Sequence, residues 1–148
     1  MPPLLQRLMR TEAPAAVLLI RLMVGGIFLS EGIQKFLYAE KVGAGRFARI
    51  GLPAPEVLGP LVGATEIVFG SLVLAGLLTR LAVLPLLIIM AVAVWSTKIP
   101  ILMNDGFWKM AHDSRNDTCM VLGSLFLLIA GAGKLSADAR LAGEQPGT

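Results

Sequence analysis

Apolar positions in this chain gather into four long runs, parted by short connections rich in charge, glycine or proline. The hydrocarbon core of a bilayer, about 30 Å thick, is crossed by about 20 apolar residues in helical form. The pattern predicts spans over residues 14–37, 57–78, 81–96 and 118–135. Pro14 suits a first helical turn, where a missing N–H costs nothing. Gly51-Leu52-Pro53-Ala54-Pro55 interrupts the chain before the second run, and Thr79-Arg80 alone joins the second to the third. So short a link predicts a tight antiparallel hairpin. The fourth run follows Asn116 and Asp117, either of which suits an N-cap. Helices of a soluble bundle carry a polar stripe, whereas Leu81 to Val94 holds no charged residue. The expected fold is all-α, an integral membrane four-helix bundle in one domain, 1–148, with both termini on one side.

Composition agrees with the pattern. Hydrophobic residues make up 55% of 148 and the mean hydropathy is +0.75; soluble domains sit nearer about 45–50% apolar even with glycine counted. The formal charge of +3 falls in the connections, where basic residues meet anionic headgroups. No run of Lys and Arg is long enough for a nucleic-acid patch. The first run is too long for a cleaved signal peptide and carries Arg21 and Glu31, so it reads as a retained helix. The terminal side carries Arg7, Arg10, Arg80, Lys134 and Arg140; the other side carries Lys35, Lys41, Arg46, Arg49, Lys98, Lys109 and Arg115. The count favours the second side as cytoplasmic, but the first helix often dominates orientation, and Arg7 and Arg10 favour cytoplasmic termini.

Single residues limit the chemistry. One cysteine, Cys119, permits no internal disulfide, and one histidine, His112, permits no bis-His haem. No covalently bound cofactor is expected. No Glu-x-x-His pair of the di-iron type stands on a helix, so no metal site is expected either. No nucleophile elbow occurs, and Gly43-x-Gly45 precedes no strand–helix unit.

Glycine and charge within the runs point to packing and to a site. Gly25, Gly26 and Gly32 in the first run, and Gly59, Gly63 and Gly70 in the second, permit the close approach by which helices associate in lipid. Charged side chains inside a span are costly and face the bundle interior. The first run carries Arg21, Glu31, Gln34 and Lys35, with Glu31 and Lys35 at pairing distance, i,i+4. Glu66 in the second has no partner on its own helix; it finds one across the bundle or stays protonated. Antiparallel packing brings both carboxylates toward one membrane face. The third run ends there with Trp95-Ser96-Thr97-Lys98, and the fourth begins there after His112-Asp113-Ser114-Arg115. Arg21 and Arg80 lie nearer the opposite end.

Glu31, Glu66 and His112 are therefore the candidates for catalysis. Lys35, Lys98, Arg115, Gln34 and Trp108 are the candidates for ligand binding. Each has a plainer role. The cations snorkel to headgroups, Glu31 pairs with Lys35, Asp117 caps a helix and His112 is solvated. Trp95, Phe107 and Trp108 either form an interfacial belt or roof a pocket. Residues 41–50 predict a short surface helix, with Val42, Phe47 and Ile50 touching the membrane and Arg46 and Arg49 among headgroups.

Taken in order, Arg21-x3-Gly25-x2-Phe28-x3-Gly32-x2-Lys35, Gly51-Leu52-Pro53, Glu66, Gly76-Leu77-Leu78-Thr79-Arg80 and Gly131-Ala132-Gly133-Lys134-Leu135-Ser136-Ala137-Asp138 resemble the DoxX family of small bacterial membrane proteins. The resemblance covers about Ala16 to Leu141. It departs at Glu31, where many members have His or Asn, and in a longer connection between the third and fourth runs.

The resemblance implies a bacterial inner-membrane protein linked to quinone-dependent oxidoreductases. Three functions are compatible with it. The first is a redox-linked subunit that binds a quinone or similar lipid at the polar end. With no electron carrier of its own, it needs a partner oxidoreductase. The second is a non-catalytic assembly or scaffold protein. The third is a small-molecule pathway, which four helices permit only in a homo-oligomer. The bilayer is the partner common to all three, and nucleic acid is a partner in none.

Overall fold

A computed structural model describes residues 9, 11 and 13–142; these are helical almost throughout, with no strand among them. The first long helix, α1, is Val17–Leu37. Pro14 stands ahead of it, its carbonyl accepting from the Val17 N–H in a turn, so the helix begins later than expected. Two short helices follow, α2 (Ala39–Val42) and α3 (Ala44–Arg49). Next come α4 (Pro55–Ala75) and α5 (Thr79–Ala93). α5 passes through one π turn, Val94–Lys98, into α6 (Ile99–Asp105). Then follow α7 (Phe107–Asp113), α8 (Arg115–Ala130) and α9 (Ala137–Leu141).

Among the described residues, three helices are long and apolar enough to cross a membrane: Val17–Leu37, Pro55–Ala75 and the continuous Thr79–Asp105. The third measures 27 residues, or about 40 Å at 1.5 Å per residue. It is longer than a hydrocarbon core of about 30 Å. The longer connection between the third and fourth runs is thus helical, α6 and α7 meeting at Gly106 (φ 86°). The fourth predicted span is shorter than expected. α8 has 16 residues and stops at Ala130, because Gly131 (φ 81°) and Gly133 (φ 77°) turn the chain out of the helix. Ser114 rather than Asn116 or Asp117 precedes α8 as its N-cap residue, and Asp117 lies in the first turn.

α1 packs most extensively on α4, α4 on α5, α5 on α8, and α8 back on α1. The α1–α4 contact is made by backbone. A Cβ on Gly25 would lie 2.8 Å from the Gly70 carbonyl oxygen, and one on Gly32 2.6 Å from that of Gly63. The antiparallel register thus sets Gly25 on Gly70 and Gly32 on Gly63. Gly26, expected in the same contact, faces open space, and Gly59 meets Ala44 of α3 instead of α1. Between the helices lies a core of Val24 and Phe28, Val73, Leu86 and Met90, and Met120 and Leu127. Outward, Leu19, Val68, Ile88 and Ile129 are all exposed. In water so much apolar surface would be costly; in lipid it is solvated.

The end opposite the connections 38–54 and 99–114 is locked by two charged residues. Arg21, buried, donates to the carbonyls of Val73 (2.9 Å), Leu74, Ala132 and Leu135. It so satisfies the C-terminal carbonyls of α4 and the chain beyond α8. The Asp138 carboxylate accepts from the N–H groups of Leu78 (2.7 Å) and Thr79 (3.1 Å) at the start of α5. Its own N–H donates to Gly76 at 2.8 Å. Burial raises the Asp138 carboxyl above the ordinary aspartate range, against the pull of those N–H groups. Of the basic residues assigned to this side, Arg7 and Arg10 lie outside the described residues.

Candidate functional site

At the other end, α1 and α4 bring together two charges that lie far apart along the chain. Lys35 Nζ lies 2.6 Å from Glu66 Oε2 and 3.9 Å from Glu31 Oε2. The expected i,i+4 pairing is therefore the longer contact, and the bond across the helices is the short one. Lys35 is 9% exposed and Glu66 3%. Gly63 helps this pair close, since a Cβ there would stand 3.2 Å from the Cβ of Lys35. A buried pair this close offsets much of its desolvation by Coulomb attraction and hydrogen bonding.

The pair opens onto a cavity of about 500 Å³. Its apolar wall includes Ile27, Phe28, Leu58, Val62, Ile89 and Met120. Its polar lining is Glu31, Lys35 and Glu66 on one side, and Ser96, Thr97, Asn116 and Asp117 from the π turn and α8 on the other, with Arg46. Few polar groups placed in a mostly apolar concavity are the usual make-up of a small-molecule site. Val42, Phe47 and Ile50, expected to touch the membrane, line this cavity instead. The segment that carries them is held by Arg49, which donates to the carbonyls of Glu40 (2.8 Å) and Lys41 (2.9 Å). Arg49 therefore serves the fold of this loop.

The remaining candidates lie apart. Lys98 sits beside the cavity, bridging to Asp117 (2.9 Å) and donating to the Asp113 carbonyl (2.9 Å), and so ties the π turn to α8. His112 and Arg115 are exposed and bond to each other, with 3.2 Å between Arg115 Nη2 and His112 Nε2. Gln34 donates to Ser30 at 3.0 Å. Trp108 is 83% exposed, packed edge to face on Phe107, and neither roofs the cavity; nor does Trp95. Lys109 pairs with Asp113 at 2.6 Å; the bond pulls the Asp113 carboxyl below its ordinary range. No group of three or more His, Cys, Asp or Glu able to hold a metal occurs among the described residues.

Sequence marks Asn116 only as a cap and carries no sign of the π turn that contains Ser96 and Thr97. Single π turns within α-helices often mark functional positions. Two hydroxyls followed by a lysine at the end of an apolar run are the available signal.

Long apolar helices, lipid-facing side chains and an ion pair buried between helices define a multi-pass membrane protein. The chain belongs to the DoxX family, whose model matches residues 16–99. It is 52% identical over 141 residues, 91% of this chain and 86% of the relative, to the uncharacterized membrane protein Rv3486 of Mycobacterium tuberculosis. No solved structure matches.

Proposed function

We propose that this DoxX-family protein binds a lipophilic small molecule of the quinone class in the cavity beside Lys35 and Glu66, as the membrane subunit of a partner oxidoreductase. The observation that carries the reading is the cavity itself: about 500 Å³, mostly apolar, with an ion pair in its wall. A quinone head meets polar groups there while its tail lies along Ile88 and Val92 toward lipid. On this reading α8 completes a four-helix transmembrane bundle, its 16 residues extended by the turn that follows. Arg7 and Arg10 ahead of α1 orient the termini toward the cytoplasm.

The test is saturable binding of a decyl-tailed quinone, oxidised and reduced, to the purified protein in lipid nanodiscs. A Val62→Trp variant, which fills the cavity, should abolish it. Absence of saturable binding in either redox form, or full binding by the filled variant, would overturn the proposal. A second reading, an assembly protein without a ligand, is favoured by the Lys35–Glu66 pair, which joins α1 to α4 whatever else it does. It is selected if neither form binds and a partner still co-purifies.

A further inference from the structure

One lysine of this chain stands where an amine can act as a nucleophile. Lys35 is the lysine that lines the cavity among the described residues. An ammonium carries three N–H donors. Glu66 accepts one at 2.6 Å, and Glu31, at 3.9 Å, is beyond hydrogen-bond reach. Two N–H groups of Lys35 therefore have no acceptor among the described residues. Lys98 lies outside the lining and is held by Asp117 and the Asp113 carbonyl. Lys41, Lys109 and Lys134 are exposed. The cavity that Lys35 faces is also open to lipid. Ile88 and Val92 of α5, 66% and 47% exposed, form part of its wall. An alkyl chain lying along them reaches the cavity from the bilayer without crossing water.

We propose that Lys35 captures a lipophilic aldehyde in this cavity as a covalent iminium adduct, with Glu66 first as proton acceptor and then as counter-ion. The proposal goes beyond the function above and takes from it only that a lipophilic molecule enters the cavity. Lysine amines desolvated in apolar pockets are those that form Schiff bases with carbonyl compounds. The ammonium proton passes to Glu66 along the 2.6 Å hydrogen bond. The freed amine attacks the aldehyde carbon. A C–N bond forms, the C=O π bond opens, and a proton moves from nitrogen to oxygen to give a carbinolamine. Glu66 returns its proton to that hydroxyl, which leaves as water while the nitrogen lone pair closes the C=N bond. One ammonium and one aldehyde thus give one iminium and one water, and nothing is oxidised or reduced. The positive charge begins and ends opposite Glu66, so the ion pair between α1 and α4 survives the reaction. The apolar wall excludes the water that would hydrolyse the adduct.

The experiment treats the full chain in lipid nanodiscs with decanal and sodium cyanoborohydride, which reduces an iminium to a stable secondary amine. Peptide mass spectrometry then locates the decyl groups. Lys35 should be labelled at least about tenfold faster than Lys41, Lys98, Lys109 or Lys134, the advantage of a held geometry over free encounter. Glyoxylate, an aldehyde with a charge and no tail, should reverse the order and label the exposed lysines first. Val62→Trp, which fills the cavity, should remove the decyl label from Lys35 and leave it elsewhere. Glu66→Gln, which takes away the proton acceptor, should slow labelling of Lys35. Decyl groups spread evenly over all lysines, or confined to the exposed ones, overturn the proposal, and neither result depends on a variant that folds. Labelling of Lys35 undiminished by both variants overturns it too. Quinone binding without a Lys35 adduct overturns this proposal and leaves the proposed function standing; a Lys35 adduct without quinone binding does the reverse.

Discussion

Two glycines on one helix separate packing from propensity. Gly32 and Gly26 both lie within α1, and Gly→Ala adds the same methyl group at each. At Gly32 the new Cβ would stand 2.6 Å from the Gly63 carbonyl oxygen and 2.9 Å from the Ile67 nitrogen, where ordinary contact begins at 3.4 Å. Both obstacles are backbone, so α1 and α4 must part by about 0.8 Å at that point. Overpacking of this kind costs about 1–3 kcal/mol. The same parting pulls on the Lys35–Glu66 contact, whose two ends flank this point on the facing helices, and that adds to the loss. At Gly26 a Cβ meets nothing within 4 Å, and alanine gains up to about 1 kcal/mol of helix propensity. Gly32→Ala is therefore expected to destabilise by about 1–3 kcal/mol and Gly26→Ala to be neutral or stabilising. Reversible unfolding in bicelles, by steric trapping or by added SDS, reads both. Equal effects, or a larger loss at Gly26, would refute the backbone contact between α1 and α4.

The buried pair should behave as a unit. Lys35→Met leaves Glu66 an unpaired buried charge and should cost about 3–5 kcal/mol, Glu66→Leu leaves Lys35 only the longer contact to Glu31 and should cost less, and the double variant should regain most of the larger loss, in the same unfolding assay. Arg21→Gln strands several of the carbonyls of Val73, Leu74, Ala132 and Leu135 and should cost about 1–3 kcal/mol for each one left bare. Hydrogen exchange should show the fraying at the C-terminus of α4. Carboxyl carbon shifts followed by NMR should place the Asp138 midpoint above that of an ordinary aspartate, because burial disfavours its charge, and the Asp113 midpoint below, because Lys109 favours it. On acidification Asp138 thus takes up its proton first and Asp113 last; the reverse order would contradict both environments.

Much of the site is legible in the chain itself. Glu31, Lys35, Glu66, Thr97 and Asp117 stand out because charge and hydroxyl groups near the ends of apolar runs are few. Their convergence follows from helix direction alone. Anything that depends on rotation of one helix about its axis is not legible there. His112, Arg115 and Trp108 reach the right end of the molecule but the wrong side of it, since α7 and the start of α8 turn them outward. Val42, Phe47 and Ile50 have the spacing of a membrane-surface helix, and the same spacing serves a cavity wall. Apolar side chains do not record which apolar medium they face.

The sequence by itself determined the class of protein, the places and directions of its first three long apolar segments and the end at which polar groups collect. Hydropathy and helical rise are local, and local quantities can be summed along a chain. Tertiary structure alone decided that Gly32 meets Gly63 while Gly26 meets nothing, that Lys35 takes Glu66 over the nearer-in-sequence Glu31, and that residues of a π turn, Ser96 and Thr97, line a cavity. Those outcomes turn on axial register and rotation between helices. They are set by the sum of close contacts across an interface, and no single stretch of the chain contains both sides of it.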